Sequence, residues 1–139
     1  MATVIRAEIS EKNKYYIDKH RHYELKHFCL QYPNWKRTYA EMNGSAVATS
    51  SFSKMPSGNL PGDPTGKRAV IKARLSERIK LIEKVARETD DCIHDYILKG
   101  VTEGLSYTYL KSRLDMPCGK DMYYDRYRRF FWLLSEMRD

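Results

Sequence analysis

The chain has 139 residues, 42% hydrophobic and 31% charged, with a formal net charge of +7. Such a length makes one ordinary domain, or a domain with a helical arm, and buries a core without disulfides or metal. Cys29, Cys92 and Cys118 form an odd set without CxxC spacing, which argues against a disulfide framework and for a reducing, cytoplasmic setting. No signal-peptide pattern opens the chain and no apolar run approaches the roughly eighteen residues of a membrane span, so neither secretion nor a membrane is expected. The basic excess favours a polyanionic partner, because each phosphate contact by Lys or Arg releases counterions.

Residues 1–10 read as a frayed terminus. From Asn13 to Gln31 the chain lacks Gly and Pro, which predicts a helix with Tyr16, Tyr23, Phe28 and Leu30 among its packed positions. Pro33 suits the first turn of a second short helix and Gly44 its stop. Two helices joined by so few residues are expected to pack as an antiparallel hairpin over 1–44. Its aromatic residues (Tyr15, Tyr16, Tyr23, Phe28, Tyr32, Trp35, Tyr39) fit a packed core or a partner surface. Residues 45–66 are rich in Ser, Gly, Pro and Thr without a surviving period, the signature of a flexible linker.

Asp63 and Pro64 mark the start of a long helix, with Asp63 or Thr65 as cap. Ile71, Leu75, Ile79, Ile82 and Ala86 form its apolar stripe, and Lys72, Arg74, Arg78, Lys80, Lys84 and Arg87 lie opposite. Gly62 to Arg68 (GDPTGKR) misses the phosphate-loop pattern by one residue of spacing and by Arg68 in place of Ser or Thr, so a turn and cap explain it. Thr89 to Asp91 interrupts the stripe. A further helix then buries Ile93, Ile97 and Val101 and ends at Gly100 to Gly104.

The most specific segment is Gly104–Arg138. Ser106 caps a short helix over Tyr107–Leu114, the residue before Pro117 is pushed out of helical geometry, and a longer helix follows Cys118 and Gly119. Met122, Tyr123, Tyr127, Phe130, Leu133, Leu134 and Met137 can share one apolar face, widened by Phe131 and Trp132. Short helix, turn and basic-polar helix are the layout of a helix-turn-helix, whose second helix enters a DNA groove. On that reading Lys120 and Arg128 donate to guanine. Tyr124 meets a thymine methyl or a phosphate. Asp121 and Asp125 accept from cytosine or serve as cap and ion-pair partner. Arg126 and Arg129, with Lys111 and Arg113 on the preceding helix, are the phosphate ligands.

These stretches, "YPNWKRTY", "DPTGKRA", "IKLIEKVARE", "YILKGVTEGLSYTYL" and above all "YYDRYRRFFWLLSEMR", give the chain its likeness to a family. It resembles the phage late transcriptional regulators of the ArpU and RinA type, small phage and prophage proteins with a sigma-factor region-four-like ending. The resemblance runs from about Tyr23 onward and is specific in its C-terminal part. It implies an all-helical protein of a phage or integrated element that binds promoter-proximal DNA, with Lys120 to Arg129 as the reading helix. Cys118 and Gly119 stand where such motifs often place a capping Ser.

Other chemistry is weaker. His20 with His27, and His22 with Cys29, are seven residues apart, too far along one helix to share an ion. His27 with Cys29, and Cys92 with His94, are i,i+2 neighbours that do not face each other. No catalytic residue, metal or cofactor is expected, and the chain reads as no enzyme. The expectation is therefore an all-α protein with an N-terminal helical hairpin (1–44), a flexible linker (45–66) and a C-terminal domain (67–139) ending in a helix-turn-helix. Its partner is double-stranded DNA, with RNA polymerase and a second copy of the chain as further partners. The rival readings are a small-terminase-like DNA-packaging subunit and a helical adaptor that contacts polymerase or another protein without touching DNA.

Overall fold

The computed structural model describes residues 11–43 and 64–139. The expectations for residues 1–10, for the linker up to position 63 and for Asp63 as a cap lie outside them. Among the described residues the chain is all-helical: α1 (Lys19–Leu30), α2 (Tyr32–Asn43), α3 (Pro64–Thr89), α4 (His94–Glu103), α5 (Tyr107–Leu114) and α6 (Lys120–Met137). No described helix is long and apolar enough to cross a membrane.

Each boundary has a local cause. The expected start of α1 at Asn13 is corrected to Lys19, because two side chains compete for the backbone amides that a helix would use. Asn13 accepts from the Tyr15 amide at 2.8 Å, and Asp18 caps α1 by accepting from the His20 amide at 2.9 Å. Pro33 falls in the first turn of α2 and Pro64 opens α3, where a missing N–H is harmless. The last three residues assigned to the linker, Pro64 to Gly66, are therefore helical. Asp90 separates α3 from α4, its Oδ1 accepting from the amides of Cys92 and Ile93 at 2.8 and 3.2 Å. Gly104 ends α4 in the left-handed region at φ 70°, a conformation open to glycine. Ser106 caps α5 through the Tyr109 amide at 3.1 Å.

The described residues form two compact units, with α1 in the same unit as the C-terminal helices: one holds residues 11–31 with Leu81–Asp139, the other residues 32–43 and 64–80. These units are bounded at other places than the expected partition at 44 and 66. The face that α1 presents accounts for its place: His22, Leu25, Phe28 and Cys29 are its buried residues, and the helix packs on α4 and α6. Of the expected packed positions only Phe28 is buried, while Tyr16 and Leu30 are exposed. In the second unit Tyr32, Trp35, Met42, Leu75 and Ile79 are buried. There the Arg78 guanidinium lies 5.5 Å from the Trp35 ring centre, Lys72 lies 5.6 Å from that of Tyr39, and Arg68 donates to the Met42 carbonyl at 3.0 Å. Ile71, expected in the apolar stripe, is 49% exposed.

In the first unit the core is built on α6, whose Tyr123, Tyr127, Phe130, Phe131 and Leu134 are buried. Met122 and Met137 of the expected face are exposed, while Phe131, expected to widen it, is buried. The His22 ring packs edge-on against Phe131 at 4.9 Å, and Phe131 against Phe130 and Tyr127 at 5.1 Å each. Such offset aromatic contacts add to the area they bury. Arg21 ties α1 to the end of α6. Its guanidinium donates to the Ser135 hydroxyl and carbonyl at 3.1 Å each, to the Arg138 carbonyl at 2.5 Å and to the Asp139 carbonyl at 3.2 Å. A cation thus closes carbonyls that a helix C-terminus leaves open, at the negative end of its dipole.

Two outcomes follow. Arg21→Ala removes charge-assisted bonds from several carbonyls and lowers stability by about 1–3 kcal/mol in urea denaturation, and Arg21→Lys restores only part because a point charge cannot span them. Burial, aided by the Lys26 charge, holds the His22 imidazole down at about 4. The folded chain therefore favours neutral His22, so its stability contribution is full above the ordinary histidine value and declines as pH falls from there towards 4. Stability drops by about 2 kcal/mol between pH 7 and pH 5, and His22→Leu removes this component of the slope in pH-dependent thermal melts.

Candidate nucleic-acid interface

The segment from α4 to α6 presents the candidate interface. α5 ends at Asp115, which takes the left-handed region at φ 58°, a conformation Asp tolerates better than most residues. The amides of Asp115 and Met116 both return to the Leu110 carbonyl. Met116 is buried, and Pro117 prevents α5 from continuing. Lys111 donates to the Met116 carbonyl at 3.1 Å, and the Tyr107 hydroxyl to that of Cys118 at 3.2 Å. The turn is thereby held to α5 at both ends. Gly119 precedes α6 in extended geometry with no side-chain cap, and Asp121 supplies the negative charge in the first turn.

α6 begins on an exposed stripe. Lys120 and Asp121 are exposed, and Tyr124, Asp125 and Arg128 are half-buried. Positions 121, 124, 125 and 128 recur at helical spacing and share one face. The opposite face, Tyr123 and Tyr127, is buried. The ring of Tyr107 on α5 lies 5.8 and 6.2 Å from those of Tyr123 and Tyr124, so the aromatic residues set where this stripe stands.

The basic residues divide into distinct groups. Arg126, expected as a phosphate ligand, is paired with carboxylates in the fold: its Nε donates to Asp90 at 2.7 Å and its Nη1 to Asp125 at 2.5 Å. The hydrogen bond to Asp90 holds its guanidinium above the ordinary arginine value. Burial pushes the Asp90 carboxyl up, but the hydrogen bonds from Arg126 and from the amides of Cys92 and Ile93 outweigh that and leave it below the usual carboxylate value. Asp125 serves as an ion-pair partner. Arg129 reaches the Tyr15 hydroxyl at 3.5 Å and lines an open polar cleft with Lys14, Arg87 and Arg126 on one side of its charge balance and Glu88, Asp90, Asp91 and Asp125 on the other. Arg128 has a buried Nε with no hydrogen-bond partner among the described residues. Lys111 and Arg113 stand exposed on α5.

Sequence reasoning missed Asp90, which both shapes the α3–α4 turn and neutralises Arg126. The polar triplet Thr89-Asp90-Asp91 marked the break but not the partner, which is 36 residues away. It also missed Arg21, whose partners are more than a hundred residues distant. Cys29 and Cys118 are buried and burial raises both thiols, which disfavours the thiolate that metals and nucleophilic chemistry need. Among the described residues no group of three His, Cys, Asp or Glu side chains is placed to hold a metal ion.

Asp90→Ala leaves two amides and the Arg126 guanidinium without their acceptor, and lowers stability by about 1–2 kcal/mol in chemical denaturation. Asp90→Asn retains an acceptor for the amides and falls between the two.

No protein-family model, curated protein or solved structure matches this chain.

Proposed function

We propose that this chain is a sequence-specific DNA-binding transcriptional regulator of the phage late-regulator type, reading double-stranded DNA with the first half of α6. The observation that carries the reading is the arrangement of α5, turn and α6. A capped short helix and a hydrogen-bonded turn deliver a helix whose inner face is buried and whose first half carries Lys120, Asp121, Tyr124, Asp125 and Arg128 on the outer face. Side chains at the start of such a helix reach base edges, and flanking cations hold phosphates. The net charge of +7 supplies the long-range attraction. The likeness of residues 104–138 to the late regulators supports the same reading and adds a phage or prophage setting.

Lys120 and Arg128 are the base donors, Tyr124 and Asp121 their neighbours on the same stripe, and Lys111, Arg113 and Arg129 the phosphate ligands. Arg126 positions Asp125 rather than touching the duplex. One short reading helix spans few base pairs, so pairing of two copies on a two-fold site belongs to the proposal, as does contact with RNA polymerase at the promoter.

Fluorescence anisotropy across a salt series, with the duplex upstream of the chain's own gene against random duplex, tests it. The upstream duplex binds more tightly. Arg128→Ala weakens that preference about tenfold, and Arg113→Ala weakens both duplexes alike and lowers the salt slope by about one. Absence of binding at low salt overturns the reading and leaves a helical adaptor in its place.

A further inference from the structure

An open cleft of about 660 Å³ lies between the segment before α1, the α3–α4 turn and the middle of α6. Tyr15 is what brings the first of these to the third. Its ring is buried 5.9 Å from that of Trp132, and its hydroxyl lies 3.5 Å from Nη1 of Arg129. The backbone around it is fixed by Asn13, whose side chain accepts from the Tyr15 amide at 2.8 Å and whose carbonyl accepts from the Tyr16 amide at 3.0 Å. Lys14 is thereby held at the cleft wall, its ammonium 5.1 Å from the Tyr15 ring centre. Arg87, in the last turn of α3, lines the same cleft.

Cations and carboxylates line the cleft in equal number, but they are not equally committed. Asp90 and Asp125 are both taken by Arg126. Glu88 pairs with Lys84 at 3.9 Å. Among the described residues Lys14, Arg87 and Arg129 make no ion pair, and of the carboxylates only Asp91 is left without one. The uncommitted charge of the cleft is therefore positive. Lys14 and Arg87 are exposed and Arg129 is half-buried, so these cations are open to a ligand that arrives from solvent. Asp125 belongs both to this wall and to the stripe at 121, 124, 125 and 128, so the cleft borders the proposed reading face. An open cleft leaves a small free anion largely in water. A phosphate presented by a duplex lying along the stripe arrives already placed.

We infer that this cleft seats a backbone phosphate of the DNA duplex, with Lys14 and Arg87, two residues outside the helix-turn-helix, joining Arg129 as its ligands. The inference rests on the DNA-binding reading and carries the interface from α5 and α6 to the segment before α1 and the end of α3. Contacts of this kind fix register and affinity and carry no base preference of their own.

Phosphate-ethylation interference on the duplex upstream of the chain's own gene, beside a salt series on that duplex and a random one, decides it with the full chain. Lys14→Gln and Arg87→Gln each lower the salt slope by about one and weaken both duplexes alike, by about threefold to tenfold. Both variants also lose interference at one shared phosphate. Lys99→Gln removes the same charge from an exposed site on α4 outside the cleft and leaves the interference pattern unchanged. Neither Lys14 nor Arg87 is buried, so both variants keep the core, which thermal melts verify. An interference pattern that Lys14→Gln and Arg87→Gln leave intact overturns the site, as does a loss of sequence preference in place of uniform weakening. Arg128→Ala tells the two proposals apart. If it alone acts, base reading stands and the cleft falls; if only the cleft variants act, the cleft stands and the base assignment of Arg128 falls. Absence of binding to either duplex at low salt overturns both.

Discussion

The close approach of α4 to α6 at Gly100 is the constraint on which the rest of the first unit depends. Tyr123 is fully buried on the first turns of α6, and its hydroxyl occupies the space where any other residue at position 100 would carry a Cβ. A large planar side chain is thereby seated directly against a helix backbone. Because interiors are packed to near-crystalline density, such a contact leaves α6 little freedom to slide or rotate. The first turns of α6, which carry the proposed reading residues, inherit that fixed position. A pocket lies beside them, lined by Gly100, Gly104 and Tyr123 among others.

Further along, α6 is held by contacts of a different kind. Asp90 grips Arg126 from the α3–α4 turn, and Arg21 of α1 closes the helix end. Between them runs the aromatic row of Tyr127, Phe130 and Phe131, with His22 against it. The interactions differ in strength and in response to conditions. The aromatic row is insensitive to salt. The ion pair of Asp90 and Arg126 is partly shielded from solvent, and so resists screening better than a surface pair would. His22 alone makes this assembly sensitive to mild acid, because protonating it places a charge among rings.

The same contacts sort the arginines of α6 and its C-cap. Four residues of similar chemistry, Arg126, Arg128, Arg129 and Arg138, lie within thirteen positions. Arg126 is neutralised by carboxylates, Arg129 reaches the Tyr15 hydroxyl, and the Arg138 guanidinium stacks 4.1 Å from the Phe28 ring centre. Arg128 shares a face with Tyr124 and Asp125, the stripe of the proposed groove contact. A dense basic run is therefore not a uniform phosphate-binding surface, since each guanidinium follows the partner that its helical position brings within reach.

Much of this was legible in the residues alone. The all-helical class, the limits of α5, the break before α4 and the burial of Ile82, Ile97, Leu110, Tyr123 and Phe130 follow from apolar spacing and from Ser106, Gly104 and Pro117 at helix ends, all of which act within a few positions along the chain. The stripe at 121, 124, 125 and 128 follows from the same periodicity. What α1 packs against, which arginine is neutralised, and that Gly100 receives a tyrosine were decided by tertiary structure. Each depends on residues from 23 to more than a hundred positions apart, and no local pattern records which side chain arrives from so far away. Helix ends are set by short-range competition for backbone hydrogen bonds. The pocket and the ion pairs are set by which faces meet when the apolar ones are buried together.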